Sequence, residues 1–218
     1  MINLQNIQLV LWDLDGTLID SENLHFDAAM QAFEDLSIPL VTTTLGAGVD
    51  NRRGFEILTG LKLDNAQNLA TYQKWEQLTL SLTLNGINAS MAIPQSIELV
   101  KHFHKHNIKQ AIVSNSNKVV IEKAVKTLGI GQYIDKLFSI EDVINPKPHP
   151  DPYQNAIKYY NVNPQNIIVF EDSLTGINSA NDAGVKFMFG IGEKLLEQNN
   201  LQKTLSTDEQ SWLQNFTQ

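Results

Sequence analysis

Five short apolar runs, separated by stretches of helical spacing, constrain this chain more than any other feature of its sequence. They are Ile7 to Asp13, Ile108 to Ser114, Leu137 to Ile140, Asn166 to Asp172 and Val185 to Ile191. Runs this short and this continuously apolar read as strands covered on both faces. Helical patterns lie over Pro94 to His104, Val119 to Leu128 and Asp151 to Tyr160, so strand and helix alternate through the second half of the chain. Such alternation predicts an α/β fold, a Rossmann-like and mostly parallel sheet with helices on both faces.

The interval from Asp20 to Ser90 breaks the alternation. Leu24, Ala28 and Phe33, then Leu69, Tyr72, Trp75, Leu78 and Leu82, follow helical spacing, and no strand pattern intervenes. A connection of that length inside a compact domain needs structure of its own. The expectation is a helical domain over residues 20–90 inserted into a core made of 1–19 and 91–218, with hinges at Thr17 to Ser21 and Asn85 to Asn88.

Strand ends are where an open parallel sheet binds ligands. The first run ends in Asp13-Leu14-Asp15-Gly16-Thr17, the second in Ser114-Asn115-Ser116 and the fourth in Glu171-Asp172-Ser173; Lys147 lies in the proline-rich loop Pro146 to Pro152. Carboxylates gathered on one rim repel one another unless a cation sits among them. A hard divalent ion suits oxygen donors, and Mg²⁺ suits them best where few carboxylates and a phosphate share it. Sixteen Lys and Arg against 24 Asp and Glu give a net charge of −8, which removes the electrostatic footprint of a nucleic-acid or anionic-membrane binder. A phosphoryl ligand then has to be met by local positive charge, from Lys147 and the cation. An Asp can take the phosphoryl group as an aspartyl-phosphate, and a second carboxylate two residues on can protonate the leaving oxygen.

These residues, in this order, resemble the haloacid dehalogenase superfamily of phosphatases and phosphomutases. Asp13-Leu14-Asp15-Gly16-Thr17-Leu18 is similar to its first motif, Ser114 to the second, Lys147 to the third and Glu171-Asp172 to the fourth. The resemblance implies that Asp13 is the nucleophile and Asp15 the acid/base, whose backbone carbonyl also binds Mg²⁺. It implies that Ser114 and the Asn115 amide hold phosphoryl oxygens, that Lys147 bridges phosphate and Asp13, that Asp172 binds Mg²⁺ directly and that Glu171 binds it through a water. It also makes the insertion a helical cap. Asp20 to His25 and the proline-rich third motif resemble the branch containing β-phosphoglucomutase and sugar-phosphate phosphatases. Trp12 and Gln95 depart from that branch at scaffold positions. The cap arginine departs too, since Asn51 precedes Arg52-Arg53, and this counts against a mutase.

The expected function is a Mg²⁺-dependent phosphatase of a small phosphorylated metabolite, with a phosphomutase of the β-phosphoglucomutase type as the alternative. A phospho-accepting signalling receiver also gathers carboxylates and a Lys at a sheet rim, but there the Lys follows the acidic residues instead of preceding a pair such as Glu171-Asp172. Dehalogenase and phosphonate-hydrolase readings fail because Asp15 supplies a second carboxylate. His25, Arg52 and Arg53 are the expected specificity residues, together with the loop Gly46 to Gly54.

Other features have bland readings. Ser173 caps the helix that follows it, and Ser114 has capping as its alternative role. His102, His104 and His106 form a solvated basic patch. The sequons at Asn88 and Asn215 are chance matches. With no cysteine, zinc-finger, thiol and disulfide chemistry are absent. No apolar run is long enough to span a membrane, and Met1 to Asn6 lacks the basic start of a signal peptide, so a cytoplasmic location is expected. A monomer is compatible with all of this.

Overall fold

A computed structural model describes residues 6–45 and 49–191. Gly46 to Gly48 of the expected specificity loop, Met1 to Gln5 and the Asn215 sequon lie outside the described residues. The chain divides into two compact units, Met1–Asp20 with Asn88–Gln218, and Ser21–Ile87.

The first unit is built on five parallel strands in the order β3-β2-β1-β4-β5, namely β1 (Leu9–Trp12), β2 (Lys109–Val113), β3 (Lys136–Phe138), β4 (Ile167–Glu171) and β5 (Phe187–Gly190). Every residue of β1 and β4 is buried, as the continuous apolar runs require of central strands. Leu9, Leu11, Ala111, Val113, Ile167 and Val169 pack one sheet face against Tyr153 and Ala156 of α6 (Asp151–Tyr160) and Ile177 and Ala180 of α7 (Leu174–Asp182). On the opposite face Trp12 stacks on Phe170 at 4.3 Å and meets Phe103 of α4 (Pro94–Lys105) edge-on. The Trp12 indole there donates to Gln110 Oε1 at 3.0 Å, which lets a polar side chain sit fully buried in β2. The fifth helix of the chain, α5 (Lys118–Leu128), stops at Gly129, whose φ of 67° is the left-handed conformation that glycine adopts freely.

Strand ends differ from the sequence expectation by one or two residues, and backbone hydrogen bonds explain two of the differences. Ser139 and Ile140 leave β3 because the Ser139 hydroxyl and backbone pair with Asp142 in a capping box, which starts a 3₁₀ turn over Ile140–Asp142. Val185 does not join β5 because its N–H is spent on Ala180 O at the end of α7.

The second unit contains α1 (Glu22–Asp35), α2 (Asn51–Thr59) and α3 (Ala66–Gly86). Asp50 and Asn65 cap α2 and α3 by accepting from Arg53 N and Asn68 N. The core is aromatic: Phe33 stacks on Trp75 at 4.9 Å, and Phe55 contacts Phe33, Tyr72 and Trp75. Trp75 donates its indole N–H to Ala29 O at 3.1 Å, tying α3 to α1.

Where the first unit gives way to the second, the two connections run side by side. Ile19 forms an antiparallel bridge with Ala92, Asp20 N donates to Met91 O at 2.8 Å, and Ile93 N donates to Leu18 O at 3.1 Å.

Candidate active site

β1 and β4 are neighbours, so the residues that finish them are brought together at one edge of the sheet. Asp13, Glu171 and Asp172 place one carboxylate oxygen each within 4.8 Å of the others. Asp13 and Glu171 are buried, and Asp172 is largely enclosed. Gly16 makes this approach possible twice over. Its φ is 78°, and a Cβ there would collide with the Asp172 carboxylate.

Lys147 is buried among these groups. Its Nζ donates to Asp13 Oδ1 at 2.8 Å, Glu171 Oε1 at 2.6 Å and Val113 O at 2.7 Å. An ammonium has three N–H groups, so all of them are taken. Tyr153, also fully buried, donates its hydroxyl to the same Glu171 Oε1 at 2.6 Å, and its ring lies 5.0 Å from Lys147 Nζ. The Asn115 side chain grips the Lys147 backbone from both directions, accepting from its N–H and donating to its carbonyl, each at 3.0 Å.

Asp15 sits beside this cluster with its Oδ2 accepting from Ser116 Oγ at 2.6 Å. Ser114 Oγ accepts from Ser116 N at 2.9 Å, which rules out its alternative role as the cap of α5; Asn117 holds the N-cap position there. Glu141 acts as the cap from a distance, accepting from Lys118 N and Asn117 Nδ2. Ser173 does cap α7, accepting from Gly176 N at 3.1 Å.

The electrostatics follow from burial. Desolvation, then the Glu171 carboxylate, push the Asp13 carboxyl well above its usual range against the pull of Lys147. Desolvation and Glu171 likewise raise Asp172 to about 6. Burial works against the Lys147 ammonium, but Asp13 and Glu171 together outweigh it and hold its pKa above the ordinary lysine value. Three carboxylates against one ammonium leave a formal charge of −2 in a desolvated place. An all-oxygen donor set with that imbalance fits one hard divalent cation.

His25, Arg52 and Arg53 belong to the other unit. His25 is half-buried on α1, while Arg52 and Arg53 are exposed in the first turn of α2, where Arg53 Nη1 lies 3.4 Å from Glu56 Oε2. The expected basic patch on α4 needs correction as well. Burial, then the neighbouring His106, holds His102 below the usual histidine value, and the two rings lie 4.3 Å apart.

Sequence reasoning did not assign Tyr153, the Asn115 side chain, Ser116 or Glu141. Only Tyr153 left a local signal. It shares the apolar face of α6 with Pro152 and Ala156, and a buried tyrosine on such a face needs a partner for its hydroxyl.

Carboxylates and a saturated ammonium at the carboxyl edge of a parallel sheet are the arrangement expected of a hydrolase that acts on phosphate esters. Over residues 10–189 the chain matches the haloacid dehalogenase-like hydrolase family, and it belongs to that family. It is 29% identical over 207 residues to validoxylamine A 7'-phosphate phosphatase from Streptomyces hygroscopicus subsp. limoneus, covering 91% of this chain and 94% of that protein. It is 27% identical over 201 residues to a phosphorylated carbohydrates phosphatase from Thermotoga maritima, covering 88% and 91%. Among solved structures, a putative beta-phosphoglucomutase from Thermotoga maritima superposes with a TM-score of 0.67 at 25% identity, covering 88% of this chain and 91% of that one. No helix among the described residues is long and apolar enough to cross a membrane.

Proposed function

We propose that this hydrolase of phosphate esters removes the phosphoryl group from a small phosphorylated carbohydrate by way of an aspartyl-phosphate on Asp13. The observation that carries the reading is the buried cluster of Asp13, Glu171, Asp172 and Lys147 at the sheet edge of a chain whose family and relatives include phosphatases of phosphorylated carbohydrates.

Asp13 attacks phosphorus, a new Asp13 O–P bond forms, and the bond from phosphorus to the carbohydrate oxygen breaks. Asp15 gives its proton to that oxygen. Water then attacks the acyl phosphate, Asp15 takes a proton back, and Asp13 and inorganic phosphate are released. Ser116 holds Asp15 beside the cluster in the meantime. Ser114 and the Asn115 amide meet phosphoryl oxygens. Because every N–H of Lys147 already has a protein acceptor, its contact with a phosphoryl oxygen requires one of those bonds to be exchanged. Asp13, Asp172 and the Asp15 backbone carbonyl would hold Mg²⁺, with Glu171 reaching it through a water. When bound, Mg²⁺ neutralises phosphoryl oxygens and keeps Asp13 ionised for attack.

The test is a panel of phosphorylated carbohydrates assayed for inorganic phosphate, with and without chelator. Metal-dependent release that disappears in a folded Asp13→Asn variant supports the reading, and release that survives the substitution overturns it. The likeness to a putative beta-phosphoglucomutase favours one second reading, in which the phosphoryl group returns to a carbohydrate hydroxyl. Isomerised product from a carbohydrate 1-phosphate in the same panel would select it.

A further inference from the structure

Tyr153 lies outside the family motifs and has no part in the steps above, yet its hydroxyl is placed on a carboxylate of the cluster. We propose that Tyr153 is a positioning residue that sets which divalent cation the cluster accepts, holding Glu171 so that it favours Mg²⁺ over Ca²⁺. This inference rests on the metal-binding reading of Asp13, Glu171 and Asp172 given above.

A carboxylate oxygen has two lone-pair sites. Both sites of Glu171 Oε1 are occupied, one by Lys147 Nζ at 2.6 Å and the other by Tyr153 OH at 2.6 Å. Only Oε2 remains, and among the described residues its one hydrogen bond is a long one, from Ser173 Oγ at 3.4 Å. Rotation about the carboxyl group is blocked as well, because Glu171 is fully buried and packs against Gly176, where a Cβ would collide with the carboxylate. Glu171 is therefore limited to one oxygen, offered directly or through a water.

That limit separates two cations. Ca²⁺ takes six to eight oxygens and readily uses both oxygens of one carboxylate, whereas Mg²⁺ keeps a small octahedral shell with several waters. Lys147 alone cannot enforce the limit, since its ammonium is shared among three acceptors and has to yield one to a phosphoryl oxygen. The Tyr153 hydroxyl has no such competing duty. Its one O–H is given to Glu171 Oε1, and the ring around it is fully buried.

The experiment is calorimetric titration of the metal-free protein with MgCl₂ and with CaCl₂, for the native chain and for Tyr153→Phe, with the ratio of the two dissociation constants as the readout. Loss of the hydroxyl frees one site on Oε1 and should shift that ratio toward Ca²⁺ by at least about fivefold, since Ca²⁺ affinity follows the count and rigidity of ligand oxygens. Tyr153→Met, which also lacks the hydroxyl, gives the same shift and serves where the phenylalanine variant does not fold. In a Glu171→Gln background the shift should vanish, whereas a general loosening of the core would leave it in place. An unchanged ratio, or a shift that persists without Glu171, overturns the role of Tyr153 while leaving the metal site standing. A native chain that binds neither ion removes the metal reading itself, and this inference with it.

Discussion

The two units of this protein treat charge in opposite ways. In the first unit Asp13, Lys147 and Glu171 are buried together, joined by charge-assisted hydrogen bonds of 2.6 to 2.8 Å. In the inserted unit the buried polar side chains among the described residues are Ser21, Thr59 and Thr83, all uncharged, and Thr59 simply donates back to Phe55 O one helical turn away. An ion pair among its described residues, Arg53 with Glu56, lies at the surface, with the arginine exposed and the glutamate partly buried. Burying ions costs several kcal/mol each after relaxation, and replacing such clusters with apolar residues often stabilises a fold. A domain that keeps one gives up stability for chemistry, and a domain that keeps none is free to vary its surface.

The sharpest way to break this contrast is Asp13→Asn. Turnover should be abolished, while thermal stability in chelator should rise or stay level, because the substitution removes one of three crowded anions. A stable variant that still turns over would separate the cluster from the chemistry. Asp15→Asn should follow with a loss of about 10²- to 10⁴-fold in kcat, the usual worth of a general acid/base, with melting temperature unchanged.

Next come two substitutions of comparable energetic size and different consequence. Lys147→Met removes the ammonium from between the carboxylates, and denaturant unfolding of the metal-free protein should show a loss of about 3–5 kcal/mol. Trp75→Ala empties the aromatic core of the inserted unit and should lose about 3–5 kcal/mol by a different route, a cavity. The two are told apart by added divalent cation, which should recover part of the Lys147→Met deficit and none of the Trp75→Ala deficit.

Arg52→Ala with Arg53→Ala should leave stability within about 0.5 kcal/mol, as exposed positions do. If these arginines meet the distal part of the substrate, kcat/KM on the best carbohydrate phosphate falls about tenfold and hydrolysis of a small aryl phosphate barely changes. Equal losses on both substrates would assign them to folding.

The smallest effect concerns His102. Its pKa is lowered in the folded state, so the fold favours the neutral ring; that stability is complete above the unfolded value of about 6.5 and is lost as pH falls from there through the lower folded value. Between pH 8 and pH 5 the melting temperature should therefore fall slightly more in the native chain than in His102→Gln, and an equal fall in both would remove His102 from this role.

Helix α6 was legible to the residue because its ends carry local marks: a proline-rich entry, and at its close Asn161, whose φ of 52° makes it a left-handed stop. β3 was legible only in outline, since the capping box that ends it competes with strand pairing and both patterns fit the same apolar letters. The residues finishing β1 and β4 could be found from the sheet rule alone. Their contacts could not. Asn115 meets Lys147 across 32 positions and Ser116 meets Asp15 across 101, and no local periodicity encodes pairs that only the assembled sheet brings together. Tyr153 was overlooked because its apolar neighbours make it look like ordinary core.

The antiparallel pairing of Ile19 with Ala92, flanked by the bonds from Asp20 to Met91 and from Ile93 to Leu18, amounts to a hairpin whose turn has been replaced by a whole domain. Asp20 and Met91 already face each other at the spacing that a two-residue turn such as Asn-Gly closes. Excision of the intervening residues would leave no gap for the remaining chain to span, and any folded segment with neighbouring ends could be grafted in their place. The sheet unit thus closes its own break, because the hydrogen bonds that join the two connections lie within that unit and involve none of the catalytic groups.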